Sequence, residues 1–357
     1  MIVLGSTGSI GVNSLNIAKK FEIEIEALVA GNNIDLLNEQ IKEHNPKFVC
    51  VAQKSDKKIY HKNIFYGIDG ILEILNLSKS TIVINAIVGF NGLIPTIEAI
   101  KLDKKVALAN KESLVVAGSL IDKSKIFPID SEHFGLWYLL QNKNIEKMII
   151  TASGGAFRDT PLEKLKNVSI KEALNHPNWS MGKKITIDSA TMANKLYEIL
   201  EAYWLFKIEN LDALIETKSI IHAIIDFQDG SSTAHIANCD MKLPIAFAIF
   251  EKLNEKIVPN VNLAEVGSLE FRKIETTRYP LWEIKDYIIK HPQMGLVLNA
   301  SNEIAVDNFL NEKIPFLEIS NLVKKALREF ENISFNSIHE IQLIDDEVRK
   351  YTKGLIS

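Results

Sequence analysis

The sequence predicts an α/β protein in three parts: an N-terminal domain built on a parallel sheet, a mixed α+β middle domain and a helical C-terminal domain. Three observations lead there. Up to about residue 122, short apolar runs alternate with amphipathic stretches, the pattern of parallel strands wrapped by helices. From about 123 to 240, strand-like runs sit among longer loops. From "YPLWEI" onward the periodicity is mainly helical. The expected boundaries are 1–122, 123–265 and 266–357, the last including a linker.

At 357 residues and 40.1 kDa the chain exceeds what one hydrophobic core ordinarily serves, which agrees with several domains. Apolar residues at 46% and charged residues at 24% describe a folded globular protein without long disorder. A net charge of −4 supplies no electrostatic reason to bind nucleic acid or an anionic membrane. The longest apolar runs, such as "LPIAFAIF" at 243–250, fall far short of the roughly 20 residues that span a bilayer. Met1 opens straight into the apolar "IVLG", which on this reading leaves no room for a signal peptide. Cys50 and Cys239 form no CxxC and no Cys/His cluster, so neither a disulfide framework nor a zinc site is expected. Two reduced thiols place the chain in the cytoplasm.

In the first domain "MIVL", "IEIEALVA", "KFVCVA", "TIVINAIV" and "KKVALA" read as buried strands. After the first of them, "GSTGSIG" sets Gly5, Gly8 and Gly11 three residues apart and opens the helix "VNSLNIAKKF". A tight strand-to-helix turn needs residues without side chains, and its backbone N–H groups then face a pyrophosphate at the helix N-terminus. The spacing is GxxGxxG, a relative of the dinucleotide fingerprint, in the required strand–turn–helix context of a Rossmann-like domain. The second strand ends in Gly31, Asn32 and Asn33, where an NAD-binding chain usually offers a carboxylate to the ribose. Its absence favours NADPH, although no Arg or Lys stands there to hold a 2′-phosphate.

The middle domain offers strands at "KIFPI", "KMIITAS", "KKITI", "SIIHAIIDF" and "SSTAHIA", the last two an antiparallel pair turning at Asp229-Gly230, and a long helix at 189–206. "IFPIDSEHFG" places Asp130 and Glu132 one residue apart with no Lys or Arg nearby. On an extended segment residues i and i+2 point the same way, so either water dissipates the repulsion or a positive group sits between them. In "DSATMANKLYEILEAYWLF", with N-cap candidates Asp188 and Ser189, an apolar face carries Ala193, Leu196, Tyr197, Leu200, Tyr203 and Trp204. Asn194, Lys195, Glu198 and Glu201 occupy the opposite side. The plain reading is an exposed Lys195–Glu198 pair at i, i+3. The chemical reading adds Glu198 to Asp130 and Glu132 as a hard-oxygen site for Mg²⁺ or Mn²⁺. Spacing alone does not choose between them. Lys111 reads equally as a solvated lysine, His133 as a structural neighbour rather than a ligand, and His222 and His235 carry no assigned role.

Six motifs in order, "GSTGSIG", "LANKES", "PIDSEH", "ASGGAF", "HPNWSMGKKITIDSATMANK" and "NEIAV", make the chain resemble the 1-deoxy-D-xylulose 5-phosphate reductoisomerase family over nearly its whole length. The resemblance implies conversion of 1-deoxy-D-xylulose 5-phosphate to 2-C-methyl-D-erythritol 4-phosphate with NADPH and a divalent cation (Mn²⁺ or Mg²⁺), in the non-mevalonate route to isoprenoids. The carbon skeleton would rearrange by a retro-aldol/aldol route or an α-ketol shift before hydride transfer. It implies metal ligands Asp130, Glu132 and Glu198, and substrate contacts Lys111, Ser131, Glu132, Ser153, His176, Ser189, Asn194, Lys195 and Glu198. Of these, Lys111, Asp130, Glu132, His176 and Glu198 would be the catalytic set. Thr7, Gly8, Ser9, Ile10, Gly31, Asn32, Asn33, Asn110, Glu112 and Gly182 would face the cofactor. A lid at about 153–183 would close with Trp179 and Met181 over the substrate, and the family implies a homodimer. Two positions depart from the family: Asn32 stands where a basic residue is common, and Leu196 where a small one is. The competing readings are a metal-free semialdehyde-type dehydrogenase, which needs a Cys nucleophile, and a non-catalytic NADPH-sensing module.

Overall fold

The computed structural model describes residues 1–140 and 144–356. The chain begins β1 (Ile2–Leu4), α1 (Ser9–Lys20), β2 (Ala27–Ala30), α2 (Ile34–His44), β3 (Phe48–Val51), β4 (Ile64–Tyr66) and α3 (Gly67–Leu77). It continues β5 (Ile82–Asn85), α4 (Leu93–Lys101), β6 (Lys105–Leu108), α5 (Lys111–Ala117), β7 (Ile126–Pro128) and α6 (Ser131–Leu139). Next come β8 (Ile145–Ala152), α7 (Ile170–Ala173), α8 (Lys183–Thr191), α9 (Ala193–Phe206), β9 (Leu211–Glu216), β10 (Ile221–Phe227) and β11 (Ser232–Ile236). The rest is α10 (Lys242–Phe250), α11 (Leu263–Val266), β12 (Phe271–Lys273), α12 (Lys285–Lys290), α13 (Gly295–Leu310), α14 (Phe316–Glu329) and α15 (Ile338–Gly354).

The fold is the expected α/β one, and the chain divides into two compact units. The first comprises Met1–Ser113, Ile121–Ser131 and Asp240–Pro259. Its seven strands are all parallel in the order β4-β3-β2-β1-β5-β6-β7. β1 and β2 are buried throughout, as strands covered by helices on both faces must be. Strand order reverses at β1, between β2 and β5, and open α/β sheets hold ligands beyond the C-terminal strand ends at such a point. "KIFPI" supplies β7 at one edge of this sheet, pairing Val106 with Ile126. The short β4, embedded in polar sequence, has no counterpart among the expected strands. Ile245, Ala246 and Ile249 of α10 join the core built by Val3, Leu15, Leu28 and Ile84, and Phe250 stacks on Phe21 with ring centroids 4.7 Å apart.

The second unit comprises Leu114–Leu120, Glu132–Cys239 and the chain from Asn260. Its five-stranded sheet runs β11-β10-β8-β9-β12, with only β8 and β9 parallel. Two expectations fail here. "KKITI" is not a strand but the start of α8. Its Ile–Thr–Ile alternation imitates period 2, whereas the buried Thr186, Ile187, Ala190 and Thr191 share one helical face, and the Thr186 N–H and hydroxyl both donate to the Gly182 carbonyl at 3.1 and 2.8 Å. The single helix expected at 189–206 is broken at Met192, whose left-handed φ of 67° ends α8 and starts α9. The helical C-terminal expectation holds: α13 is buried along nearly its whole length, and α14 and α15 lie against it.

Candidate functional site

In the first unit the glycine loop leaves β1 and turns at once. The N–H groups of Gly5 and Ser6 both donate to the Val29 carbonyl at 2.8 Å, tying the loop to β2. Gly5 has a φ of +85°, and a Cβ there would stand 2.6 Å from the Ala86 carbonyl oxygen. A Cβ on Gly11 would stand 2.3 Å from the Gly5 oxygen, so α1 can approach its own turn only without a side chain at that point. Gly8 and Ser9 are exposed at the start of α1, whose first turn carries no acidic residue, and Thr7 and Ile10 flank them half-buried. The start of α1 thus offers backbone N–H groups with no charged side chain among residues 5–11, an arrangement that suits an anion. Gly31, Asn32 and Asn33 are exposed beyond β2, and Asn33 caps α2 by accepting from the Leu36 N–H at 3.3 Å.

Asn110 is buried at the end of β6, and its amide donates to the carbonyls of Ile87 (2.7 Å) and Gly89 (2.8 Å) and to the Glu112 carboxylate (3.1 Å). Its side chain therefore shapes the loop after β5, a segment the sequence reading did not single out. Lys111 is buried and ion-paired with Asp130. The positive group at Asp130 is thus a lysine 19 residues upstream, outside the local window searched in the sequence.

Asp130 lies in the turn after β7, while Ser131 and Glu132 open α6, so the extended geometry expected for the acidic pair is replaced by a helix start. In the second unit Glu132 faces α9. Lys195 donates to Glu132 at 2.8 Å, to the Thr151 carbonyl at 2.6 Å and to Glu198. The Glu132 and Glu198 carboxylates offer oxygens within 4.8 Å of each other, and Asn194 donates to Glu198. The Lys195–Glu198 pair exists, but it is not the exposed pair of the plain reading: the two side chains are 5% and 1% exposed. Burial works against the ammonium, yet the neighbouring Glu132 and Glu198 outweigh it and raise the Lys195 pKa. His133 is buried behind them, its Nε2 at 2.8 Å from the Glu198 carbonyl and its Nδ1 at 3.2 Å from Glu201. A carbonyl only accepts, so Nε2 carries the proton.

Ser153, His176 and Ser189, from three separate segments, meet. His176 Nε2 lies 2.8 Å from the Ser153 hydroxyl and 3.2 Å from that of Ser189. Its Nδ1 accepts from the N–H groups of Asn178 (3.2 Å) and Trp179 (2.9 Å), which fixes the neutral tautomer with the proton on Nε2. Burial first, then the positive Arg158 and Lys195, push its pKa down to about 4. Trp179 stands edge-on to His222 at 6.4 Å, Met181 is half-buried, and Gly182 is the exposed N-cap of α8. Of the expected lid, Phe157, Leu165 and Ala173 are buried in a cluster with Phe309 and Phe316. Burial drives the Cys50 thiol up to about 12 and, with Glu132 and Glu216 nearby, Cys239 to about 11, so neither is a thiolate nucleophile near neutral pH.

Comparison with known proteins follows the same outline. A family model described as 1-deoxy-D-xylulose 5-phosphate reductoisomerase matches residues 1–118; two describing C-terminal domains of that enzyme match 126–206 and 236–351. The chain is 57% identical over 363 residues to the 1-deoxy-D-xylulose 5-phosphate reductoisomerase of Nautilia profundicola, covering 99% of each, and 51% identical over 361 residues to that of Helicobacter pylori, covering 98% of each. A crystal structure of DOX-P reductoisomerase in complex with NADPH, fosmidomycin and magnesium superposes with a TM-score of 0.93 at 34% identity, covering 99% of this chain and 97% of that one. The Zymomonas mobilis enzyme in complex with NADPH gives 0.88 at 32%, covering 100% and 98%.

Proposed function

The chain belongs to the 1-deoxy-D-xylulose 5-phosphate reductoisomerase family, and from that membership we propose how its own residues carry the reaction. It is an NADPH- and divalent-metal-dependent enzyme that converts 1-deoxy-D-xylulose 5-phosphate to 2-C-methyl-D-erythritol 4-phosphate. When bound, the cation supplies Lewis acidity to the substrate's carbonyl and hydroxyl oxygens, and NADPH supplies the hydride.

Asp130, Glu132 and Glu198 are the proposed ligands. The donors suit a hard dication, being carboxylates of which Glu132 and Glu198 already offer oxygens within 4.8 Å of each other. That juxtaposition, of Glu198 buried on α9 with Glu132 at the start of α6, is the observation that carries the reading. Mn²⁺ joins Mg²⁺ as a candidate occupant, since both favour oxygen ligands. Ser153, Ser189, Asn194 and Lys195 are assigned to the phosphate, and His176, held neutral, offers it an uncharged N–H. Lys111, Ser131 and Glu132 are assigned to the reacting end of the sugar.

Thr7, Gly8, Ser9 and Ile10 form the turn assigned to the pyrophosphate, Gly8 closing it by donating its N–H to the Gly5 carbonyl at 3.1 Å, and Gly31, Asn32 and Asn33 are assigned to the adenosine end, without a carboxylate to repel a 2′-phosphate. Asn110, Glu112 and Gly182 are assigned to the nicotinamide half. The three-part division at 1–122, 123–265 and 266–357, with a lid at about 153–183, belongs to the same proposal. So does a homodimer formed along β11, an edge strand that carries the exposed Ile236 and whose His235 lies against the exposed Tyr138. Two free thiols suit the reducing cytoplasm, and no helix among the described residues is long and apolar enough to cross a membrane.

The test is direct. The purified chain, given the sugar phosphate, NADPH and Mn²⁺ or Mg²⁺, is expected to oxidise NADPH, followed at 340 nm, and to stop when EDTA is added. A chain that binds NADPH but shows no metal-dependent oxidation overturns the reading, and activity surviving EDTA revives the metal-free dehydrogenase.

A further inference from the structure

One backbone carbonyl in the second unit collects donors from two segments that the proposed function uses. The Thr217 oxygen accepts from Arg158 Nη1 at 3.0 Å and from Asn178 Nδ2 at 3.0 Å. Arg158 Nη1 also donates to the Ser153 carbonyl at 2.9 Å, and Asn178 Nδ2 to the Ser219 hydroxyl at 2.6 Å. Three stretches remote in sequence therefore meet at the turn between β9 and β10.

That turn is itself rigidly held. Glu216, fully buried, accepts from the N–H of Lys218 (2.8 Å) through one oxygen and from those of Ile220 (2.8 Å) and Ile221 (3.2 Å) through the other. Its carboxylate organises the backbone around the Thr217 carbonyl, which is left to accept from Arg158 and Asn178. Cys239 adds a contact from its thiol to the Ser219 carbonyl at 3.0 Å. Arg158 is equally constrained: its side chain is 16% exposed, and its stem covers Gly154 so closely that a Cβ there would stand 2.7 Å from Cδ.

We propose that Asn178 is a positioning residue: by anchoring the 175–182 segment to the Thr217 carbonyl that Arg158 shares, it sets the imidazole of His176 against Ser153 and Ser189. The link is covalent and short. His176 Nδ1 is held by the backbone N–H groups of Asn178 and Trp179, so the imidazole takes its orientation from the backbone that the Asn178 side chain pins. Arg158 pins the other partner, because it grips the carbonyl of Ser153 itself. The β9–β10 turn is thus the fixed post to which the movable segment and the phosphate loop are both tied. This inference rests on the assignment of Ser153, His176 and Ser189 to the substrate, but the anchoring can be tested apart from it.

The experiment uses the full chain with Asn178→Ala and Asn178→Asp, the second nearly isosteric but placing an acceptor where a donor is needed. Trypsin reaches the chain beside this segment at the exposed Lys183. Loss of two ordinary hydrogen bonds should raise the open population, and with it the cleavage rate at Lys183–Lys184, about tenfold in both variants without any ligand. The melting temperature should stay within about 2 °C, and cleavage elsewhere should not change. In turnover, both variants should raise KM for the sugar phosphate about tenfold while KM for NADPH stays within about twofold. Cleavage at the wild-type rate overturns the proposal, as does a rise that is equal at distant lysines. If the wild-type chain turns over no sugar phosphate yet both variants open at 183–184, the assigned function fails and the anchor stands.

Discussion

The two units arrange charge in opposite ways. In the first, the loop from Gly5 to Gly11 carries no charged side chain, and its shape depends on what is missing: at two positions a single methyl would overlap a carbonyl oxygen by more than any real contact allows. In the second, Lys195 and Glu198 put charges of both signs where almost no water reaches, with the half-buried Glu132 beside them, and Thr151 and Asn194 complete their hydrogen bonds. The first design is sensitive to added volume and indifferent to charge. The second is sensitive to removed charge, because a buried carboxylate or ammonium left without its partner costs several kcal/mol. A substitution should therefore disturb one ligand and leave the other alone.

The largest effect should come from Glu198→Gln. The amide preserves shape and can still accept from one neighbour, but it removes a negative ligand and leaves Lys195 with Glu132 as its only carboxylate among these contacts. Turnover should fall by about a thousandfold or more, the worth of several kcal/mol of charge stabilisation, and metal affinity with it. NADPH affinity, measured by fluorescence titration, should not move. Turnover within tenfold of wild type would remove Glu198 from the ligand set, and a parallel loss of NADPH binding would erase the contrast between the units.

The reverse experiment is Gly11→Ala. The new Cβ would lie 2.3 Å from the Gly5 oxygen and 2.5 Å from the Ser6 Cα, all backbone, so the turn itself must shift. We expect a destabilisation of about 1–3 kcal/mol and a fall in NADPH affinity of about ten- to a hundredfold, with Mn²⁺ affinity by calorimetry unchanged. Unaltered NADPH binding would mean that the close approach of α1 to its turn does not matter to the cofactor.

The same contrast explains what could be read from the sequence. The glycine loop is local: spacing, the preceding strand and the following helix all lie within 20 residues, so one stretch reveals both its fold and its task. β1, β2, β3, β5 and β6 were legible because strands buried on both faces become continuous apolar runs. The charged site is not local. Lys195 and Glu198 look like an exposed pair until Glu132 and the Thr151 carbonyl arrive from other segments and bury them, and motif likeness located these residues without supplying their surroundings. Asn178 lies inside one quoted motif and Arg158 directly after another, yet neither motif gave them a role, because their partner is a backbone carbonyl 39 and 59 residues away, and backbone atoms have no identity in a sequence. "KKITI" misled for a simpler reason: five residues are too few to separate period 2 from one turn of a helix.

The smallest effect separates the units by acid. In the second unit burial and the adjacent His222 hold His235 at about 4, and its Nδ1 is buried without a hydrogen-bond partner. A histidine lowered from 6.5 takes up its proton in the unfolded chain first, so stability is lost as pH falls below 6.5. In the first unit burial would raise the Glu26 carboxyl, but hydrogen bonds from Ser78 and Ser80 and from the Lys79 and Ser80 N–H groups outweigh it and hold it at about 2. A carboxylate lowered from 4.5 contributes fully above that value and weakens only beneath it. Between pH 7 and 5.5 His235 should therefore cost about 1 kcal/mol and Glu26 almost nothing. His235→Phe keeps the ring among Phe134 and Tyr138 and forfeits no Nδ1 hydrogen bond, so it should shrink the drop in unfolding free energy between those two pH values by about 1 kcal/mol. Glu26→Gln should lower stability at both and leave the drop unchanged. Urea unfolding of the wild type and both variants at pH 7 and 5.5 measures these drops, and a drop that His235→Phe leaves intact would show that His235 is not one of the neutral histidines, with His176, that make the second unit acid-sensitive.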